Sequence, residues 1–168
     1  MRPGVRLGVD VGSVRVGVAR CDAAGLIATP LVTLRRGKGD VAALLELAAE
    51  YDAVEIVVGL PRTLAGKEGA AAAAAVGYAG RVADRLPGTP VRLVDERLST
   101  VAAQRDLHAS GVDTRRGRKV IDQVAAVIIL QGALDAERAT GNAPGHLLDQ
   151  RADGDGAGGA GADTKVEE

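Results

Sequence analysis

The chain has 168 residues, 46% of them hydrophobic but only two aromatic, Tyr51 and Tyr78, which suffices for one aliphatic core and gives few flat rings on which unpaired bases could stack. The net charge of -1 conceals an asymmetry, because six acids oppose two bases from Gly141 onward and leave 16 acids and 19 bases before it, a weakly basic body compatible with phosphate binding. Cys21 stands alone, which excludes an intramolecular disulfide and a cysteine-rich metal site, and without a signal-like or bilayer-length apolar stretch the protein is expected to be cytoplasmic.

Val5, Leu7, Val9 and Val11 alternate with Arg6, Gly8, Asp10 and Gly12, the period of a strand with one apolar face. Its other face carries Asp10 between two glycines, so a ligand or another backbone can approach that carboxylate without meeting a side chain. After a turn near Gly12-Ser13 the alternation resumes at Val14, Val16 and Val18, and a third run extends from Leu26 to Leu34 beyond a turn at Asp22 to Gly25. Three strands joined by short turns form an antiparallel meander.

Helix then alternates with strand, the pattern of parallel pairing through crossover helices. Asp40 is placed to cap a helix through Leu44, Leu45 and Ala48, and Val54 to Val58 follows as a strand ended by Gly59-Leu60-Pro61. An Ala-rich helix is predicted from about Lys67 to Leu86, then a last strand, Val91 to Val94, that ends at Asp95-Glu96. Ser99 or Thr100 can cap a helix through about Ala109, Gly111 stops it, and a final helix rich in Val and Ile runs from Lys119 to Arg138. The expected fold is thus α/β, a mixed five-stranded sheet flanked by helices. Residues 1–140 form its one domain, and 141–168, rich in Gly, Ala and Asp, is expected to be a disordered tail.

Three carboxylates stand out by position. Asp10 lies late in the first strand, Asp95-Glu96 just past the last, and Asp122 near the start of the final helix, above Ala126, Ile129 and Ala133 on one apolar stripe. If their strands are neighbours, the first two meet at the carboxyl edge of a parallel pair. Open clusters of hard oxygen ligands suit Mg²⁺ or Mn²⁺, and two such ions about 3.5 to 4 Å apart can activate water and stabilise the leaving oxygen of a phosphodiester. Plainer readings exist for each acid: a turn residue at Asp10, surface pairing of Asp95 and Glu96 with Arg92 or Arg97, and a macrodipole contact at Asp122. Periodicity does not choose between Asp95 and Glu96.

Arg115, Arg116, Arg118 and Lys119 form the densest basic run, expected in a loop just before Asp122 where it can grip phosphate or simply be solvated. Arg15 is a second candidate for phosphate contact or for neutralising the acids, and Arg97 a further one. His108 and His146 lack metal-ligand spacing and are read as surface residues.

Four segments, Leu7 to Ala19 (LGVDVGSVRVGVA), Ile56 to Gly69 (IVVGLPRTLAGKEG), Val94 to Thr100 (VDERLST) and Lys119 to Gln131 (KVIDQVAAVIILQ), together resemble the YqgF family of pre-16S rRNA nucleases and Holliday junction resolvases. The likeness spans most of Val5 to Ala136. It implies a ribonuclease H-like domain in which Asp10, Glu96 and Asp122 hold Mg²⁺ or Mn²⁺, and it is this likeness that selects Glu96 over Asp95. Ala65 departs from the family, which often has an acid or amide there, so a polar role at that loop position is not carried over.

The implied substrate is pre-16S rRNA or the pre-ribosome, or alternatively branched DNA. Symmetric cutting of a four-way junction needs a homodimer, whereas rRNA trimming can be done by a monomer. Sugar kinases and actin-like ATPases also begin with an Asp-x-Gly strand turn, but their nucleotide cleft needs two lobes and this chain has room for one. A binding module with an idle metal site is the remaining alternative.

Overall fold

The computed structural model describes residues 2–61, 69–96 and 115–148, the first six of the last segment by their backbone alone. The expected meander is β1 (Arg6–Val11), β2 (Arg15–Cys21) and β3 (Ala28–Arg35), with Gly12 N–H donating to the Arg15 carbonyl across the first turn. The second turn closes on Asp22, whose Oδ1 accepts the Leu26 and Ile27 amides at 2.6 and 3.0 Å. That use of an aspartate side chain explains a compact turn in a run without proline.

Helix α1 (Asp40–Glu50), strand β4 (Glu55–Leu60), helix α2 (Ala70–Arg85) and strand β5 (Val91–Asp95) follow in the predicted order. The predicted cap is displaced by one residue. Gly39, at a φ of 106°, occupies it, and Asp40 opens the helix with its carboxylate accepting the Val41 and Gly37 amides and pairing with Arg36. A glycine reaches that left-handed conformation without steric cost, which is why the cap falls there. The alanines of α2 are more than helix formers, because Ala72, Ala75 and Ala79 are buried and let the helix lie close to the sheet.

The sheet runs β3-β2-β1-β4-β5-β6 and has six strands where five were expected. Its sixth, β6 (His146–Leu147), lies inside the segment expected to be disordered, and it pairs antiparallel with β5. An unpaired edge on β5 would expose a row of backbone donors and acceptors, and two residues of strand suffice to cover it. Leu148 continues the closure, its amide donating to the Val91 carbonyl at 2.9 Å and its side chain packing on the core. The folded unit therefore reaches past Thr140 to at least Leu148.

The period-two pattern of β1 sorts the two layers. Leu7, Val9 and Val11 face α1 and α2 in one cluster. Gly8 and Asp10 face the opposite side, where helix α3 (Arg115–Thr140) buries Ala125, Ala126, Ile129, Leu130 and Ala133 against the sheet. Helix α3 starts four residues before the predicted Lys119. Arg115, Arg116, Arg118 and Lys119 therefore lie on helix and not in a loop, in keeping with the good helix propensity of Arg and Lys. The helix predicted to begin at Ser99 or Thr100 lies outside the described residues.

At the end of the sheet away from Asp10, a charged cluster ties α3 to three strands. Arg2 bridges Glu137 of α3 and Glu55 of β4 at 2.8 and 3.1 Å, and Arg92 of β5 donates to Glu55 at 2.8 Å. Arg6, 1% exposed, lies between both glutamates at 3.6 Å. Its Nε and Nη1 make no hydrogen bond, so its charge is compensated through the ion pairs. Pairing with Glu55 is thus where Arg92 is engaged.

Candidate active site

Strands β1, β4 and β5 are parallel, so their carboxyl ends share one edge of the sheet. Asp10 is the next-to-last residue of β1 and is 2% exposed. Glu96 follows β5 directly and is 6% exposed. The two strands are not neighbours, as the sequence argument required, because β4 lies between them. Two inter-strand spacings put β1 and β5 about 10 Å apart.

Gly59 of β4 removes the obstacle. A Cβ at that position would stand 2.8 Å from Glu96 Oε1 and 2.5 Å from Ile129 Cδ1. The Glu96 carboxylate therefore reaches over β4, on the face that carries Asp10, through space that any other residue would fill. Alternation explains why Glu96 and not Asp95 does this. Val94 packs into the α3 cluster, Glu96 shares its parity, and Asp95 has the opposite one.

Asp122 approaches from the other side of Asp10. Gly17 of β2 is the residue directly opposite Asp10 in the β1–β2 ladder. A Cβ there would lie 3.1 Å from the Asp122 Cβ and would overlap the Asp122 carbonyl oxygen. Helix α3 therefore rests its backbone on β2 one inter-strand step, about 5 Å, from Asp10. Ala126, Ile129 and Ala133 continue the stripe below Asp122 and are buried as their spacing requires. Asp122 is the eighth residue of its helix, too far from the first turn for the macrodipole to account for it.

Arg15 closes this end. Its Nε donates to Asp122 Oδ2 at 2.8 Å, with the two side chains 22% and 21% exposed. Among the described residues no three acidic, His or Cys side chains are drawn together tightly enough to hold a metal ion. The structure thus brings Asp10, Glu96 and Asp122 to one face and one edge, with the Asp122 carboxylate turned to a guanidinium. Arg97 lies outside the described residues. Arg115, Arg116, Arg118 and Lys119 are placed on the opening turns of α3 by backbone alone. An apolar cavity of about 380 Å³ opens beside Glu96, lined by Val94, Ile129, Ala133 and Pro144 among others.

Two residues escaped the sequence reading. Arg36 donates from Nη1 to the Gly12 carbonyl at 3.0 Å, pairs with Asp40 at 3.2 Å and lies over the Tyr78 ring, fixing the turn after Asp10 to α1. Arg35 stands directly across from Arg15 in the β2–β3 ladder and is exposed. A hairpin register of Val16 with Leu34 would have revealed that second neighbour.

Residues 4–136 match the family described as "RuvX: Holliday junction resolvase". A protein of Kineococcus radiotolerans named "Putative pre-16S rRNA nuclease" is 58% identical over 151 residues, 88% of this chain and 80% of its own length. A protein of Nocardioides sp. with the same name is 54% identical over 155 residues, 89% of this chain and 99% of its own. Among solved structures, Thermus thermophilus RuvC in complex with a Holliday junction substrate superposes with a TM-score of 0.55 at 18% identity, over 86% of this chain and 99% of that one. That likeness speaks for the fold, which is the ribonuclease H-like arrangement expected from the sequence.

Proposed function

The chain belongs to the RuvX family of nucleases, and on that premise we propose that it hydrolyses phosphodiester bonds of pre-16S rRNA at Asp10, Glu96 and Asp122. The observation that carries this reading is the pair of glycines flanking Asp10. Gly17 makes room for the Asp122 main chain on one side and Gly59 for the Glu96 carboxylate on the other, which supports a site drawn from three acids in distant parts of the chain.

That donor set fits Mg²⁺ or Mn²⁺ by its chemistry, since every candidate ligand atom is a hard carboxylate oxygen, and the glycines give the elements that carry Glu96 and Asp122 room to close on the sheet. Two ions are the expected complement, and when bound they supply the positive charge and acidity that hydrolysis of a phosphodiester requires. The chain contributes the rest. Asp10 and Glu96, buried on the sheet, set the floor of the site, and Asp122 forms its wall. Arg15 holds Asp122 in orientation through Nε, and the remaining face of its guanidinium is a donor for a phosphate oxygen. Arg115, Arg116, Arg118 and Lys119 are assigned to the substrate backbone on the grounds of charge and their position on the opening turns of α3, and Arg97 on the grounds of charge and its place in the sequence beside Glu96.

The rRNA substrate is favoured by the names of the relatives more than half identical to this chain. The alternative is a four-way DNA junction, the substrate in the RuvC complex of similar fold. A monomer suffices for the first and a homodimer is required for the second. Among the described residues no helix is long and apolar enough to cross a membrane, and we assign the protein to the cytoplasm, where rRNA is matured.

The decisive assay cleaves precursor 16S rRNA and a synthetic four-way junction side by side, with Mn²⁺ and with chelator, using the wild type and Asp10→Asn. Metal-dependent cutting of the rRNA, lost in the variant with its melting temperature preserved, is the expected result. Preferential cutting of the junction moves the assignment to the alternative, and undiminished turnover by Asp10→Asn overturns the site.

A further inference from the structure

Arg15 and Arg35 are directly opposed in the β2–β3 ladder, on the face that carries Asp10 and Gly17. Directly opposed like charges in a sheet are destabilising, so the pair is a cost to the fold unless something offsets it. Asp122 offsets only Arg15, and it engages the Nε edge of that guanidinium. Arg35, at the exposed end of β3, makes no ion pair among the described residues. Its neighbour Arg36 differs in every respect, being committed to Gly12, Asp40 and Tyr78.

We propose that Arg15 and Arg35 form a two-guanidinium grip for a backbone phosphate next to the scissile one, so that the substrate strand leaves the carboxylates across β2 towards β3. The inference rests on the nuclease reading and adds the direction of the strand and a residue that grips it. Three features support it. Asp122 pre-orients Arg15, so its outer Nη donors are offered to a ligand with little further loss of side-chain freedom. Arg35 is one strand further out, about 5 Å, a separation that lets both guanidinium groups reach oxygens of one phosphate. A bound phosphate also removes the repulsion between them, so the cost to the free protein is recovered on binding.

Charge on an edge strand also discourages sheet-to-sheet aggregation, and that role competes with this one. The two are separated by measuring binding of a fluorescein-labelled single-stranded RNA and of a four-way DNA junction in EDTA, by anisotropy over a range of salt. The full-length proteins compared are wild type, Arg35→Gln, Arg35→Lys and, for the same loss of charge on the opposite layer, Arg85→Gln. Arg35→Gln should lower the slope of log affinity against log salt by about 0.7 on single-stranded RNA or about 0.9 on duplex arms, the loss of one phosphate contact. Its melting temperature should be no lower than that of wild type, because the repulsion is gone. Arg35→Lys should keep the slope, and Arg85→Gln should keep both slope and affinity.

An unchanged slope in Arg35→Gln, or an equal fall in Arg85→Gln, overturns the grip while leaving the nuclease reading standing. A wild type that binds neither probe overturns the grip, whereas the nuclease reading falls only if cleavage with Mn²⁺ fails. Aggregation of Arg35→Gln with wild-type affinity assigns Arg35 to edge protection instead.

Discussion

A methyl group is enough to disturb this site. Gly17→Ala places a Cβ against the Asp122 main chain and must lift α3 from β2; overpacking of this kind costs about 1–3 kcal/mol. The expected outcome is a melting temperature several degrees lower and a larger fractional loss of cleavage than of stability, read by calorimetry and by the cleavage assay. Glu55 offers a contrasting case at the far end of the sheet. It is fully buried and compensates Arg2, Arg6 and Arg92 together, so Glu55→Gln leaves the buried Arg6 guanidinium with Glu137 as its remaining carboxylate and takes from Arg92 the carboxylate it pairs with. Removing one member of a buried pair costs about 3–5 kcal/mol, and urea denaturation should show a midpoint well below that of wild type. Burial likewise pushes the Cys21 thiol up, which keeps it a poor nucleophile in the folded chain.

At the scale of elements, β6 and Leu148 change what truncation should do. Removing residues 141–168 strips β5 of its antiparallel partner and the core of Leu148, so a lower melting temperature is expected. Ending the chain after Leu148 should leave it unchanged, since 149–168 contains Val166 as its one large apolar residue. Comparing the two truncations by thermal unfolding tests the boundary directly. The sequence made the tail look uniform because two residues of strand carry no periodicity; only the exposed edge of β5 gives them a role. For α3, spacing was enough to identify the face, as the burial of Ala126, Ile129 and Ala133 beneath Asp122 demonstrates. Its start at Arg115 is not marked by apolar spacing, because Arg and Lys extend a helix as readily as they populate a loop.

For the molecule as a whole, α3 is held at both ends by charge, through Asp122 and Arg15 at the site and through Glu137, Arg2 and Arg6 at the opposite end. The hydrogen bonds from Arg2 hold the Glu137 carboxyl below its usual value. A group depressed on folding stabilises the native state above its unfolded pKa, about 4.3 for glutamate, and this contribution is lost as pH falls through the lower folded value. Stability should therefore decline as the pH drops below about 4, and Glu137→Gln, less stable at neutral pH, should show a shallower decline. Parallel slopes for the two proteins in acid titrations of melting temperature would remove Glu137 from that role.

Composition, alternation and helical spacing determined the strand and helix inventory, the apolar faces of β1 and α3, and the prominence of Asp10 and Asp122, because each is a property of neighbours along the chain. Glu96 was legible by the likeness of its segment to a family, although the parity it shares with Val94 could have separated it from Asp95. The insertion of β4 between β1 and β5, the clearance at Gly17 and Gly59 and the cluster of Arg2, Arg6, Glu55, Arg92 and Glu137 were decided by tertiary structure alone. The reason is physical: strand order and helix placement join residues tens of positions apart, and no local period encodes which of them will touch.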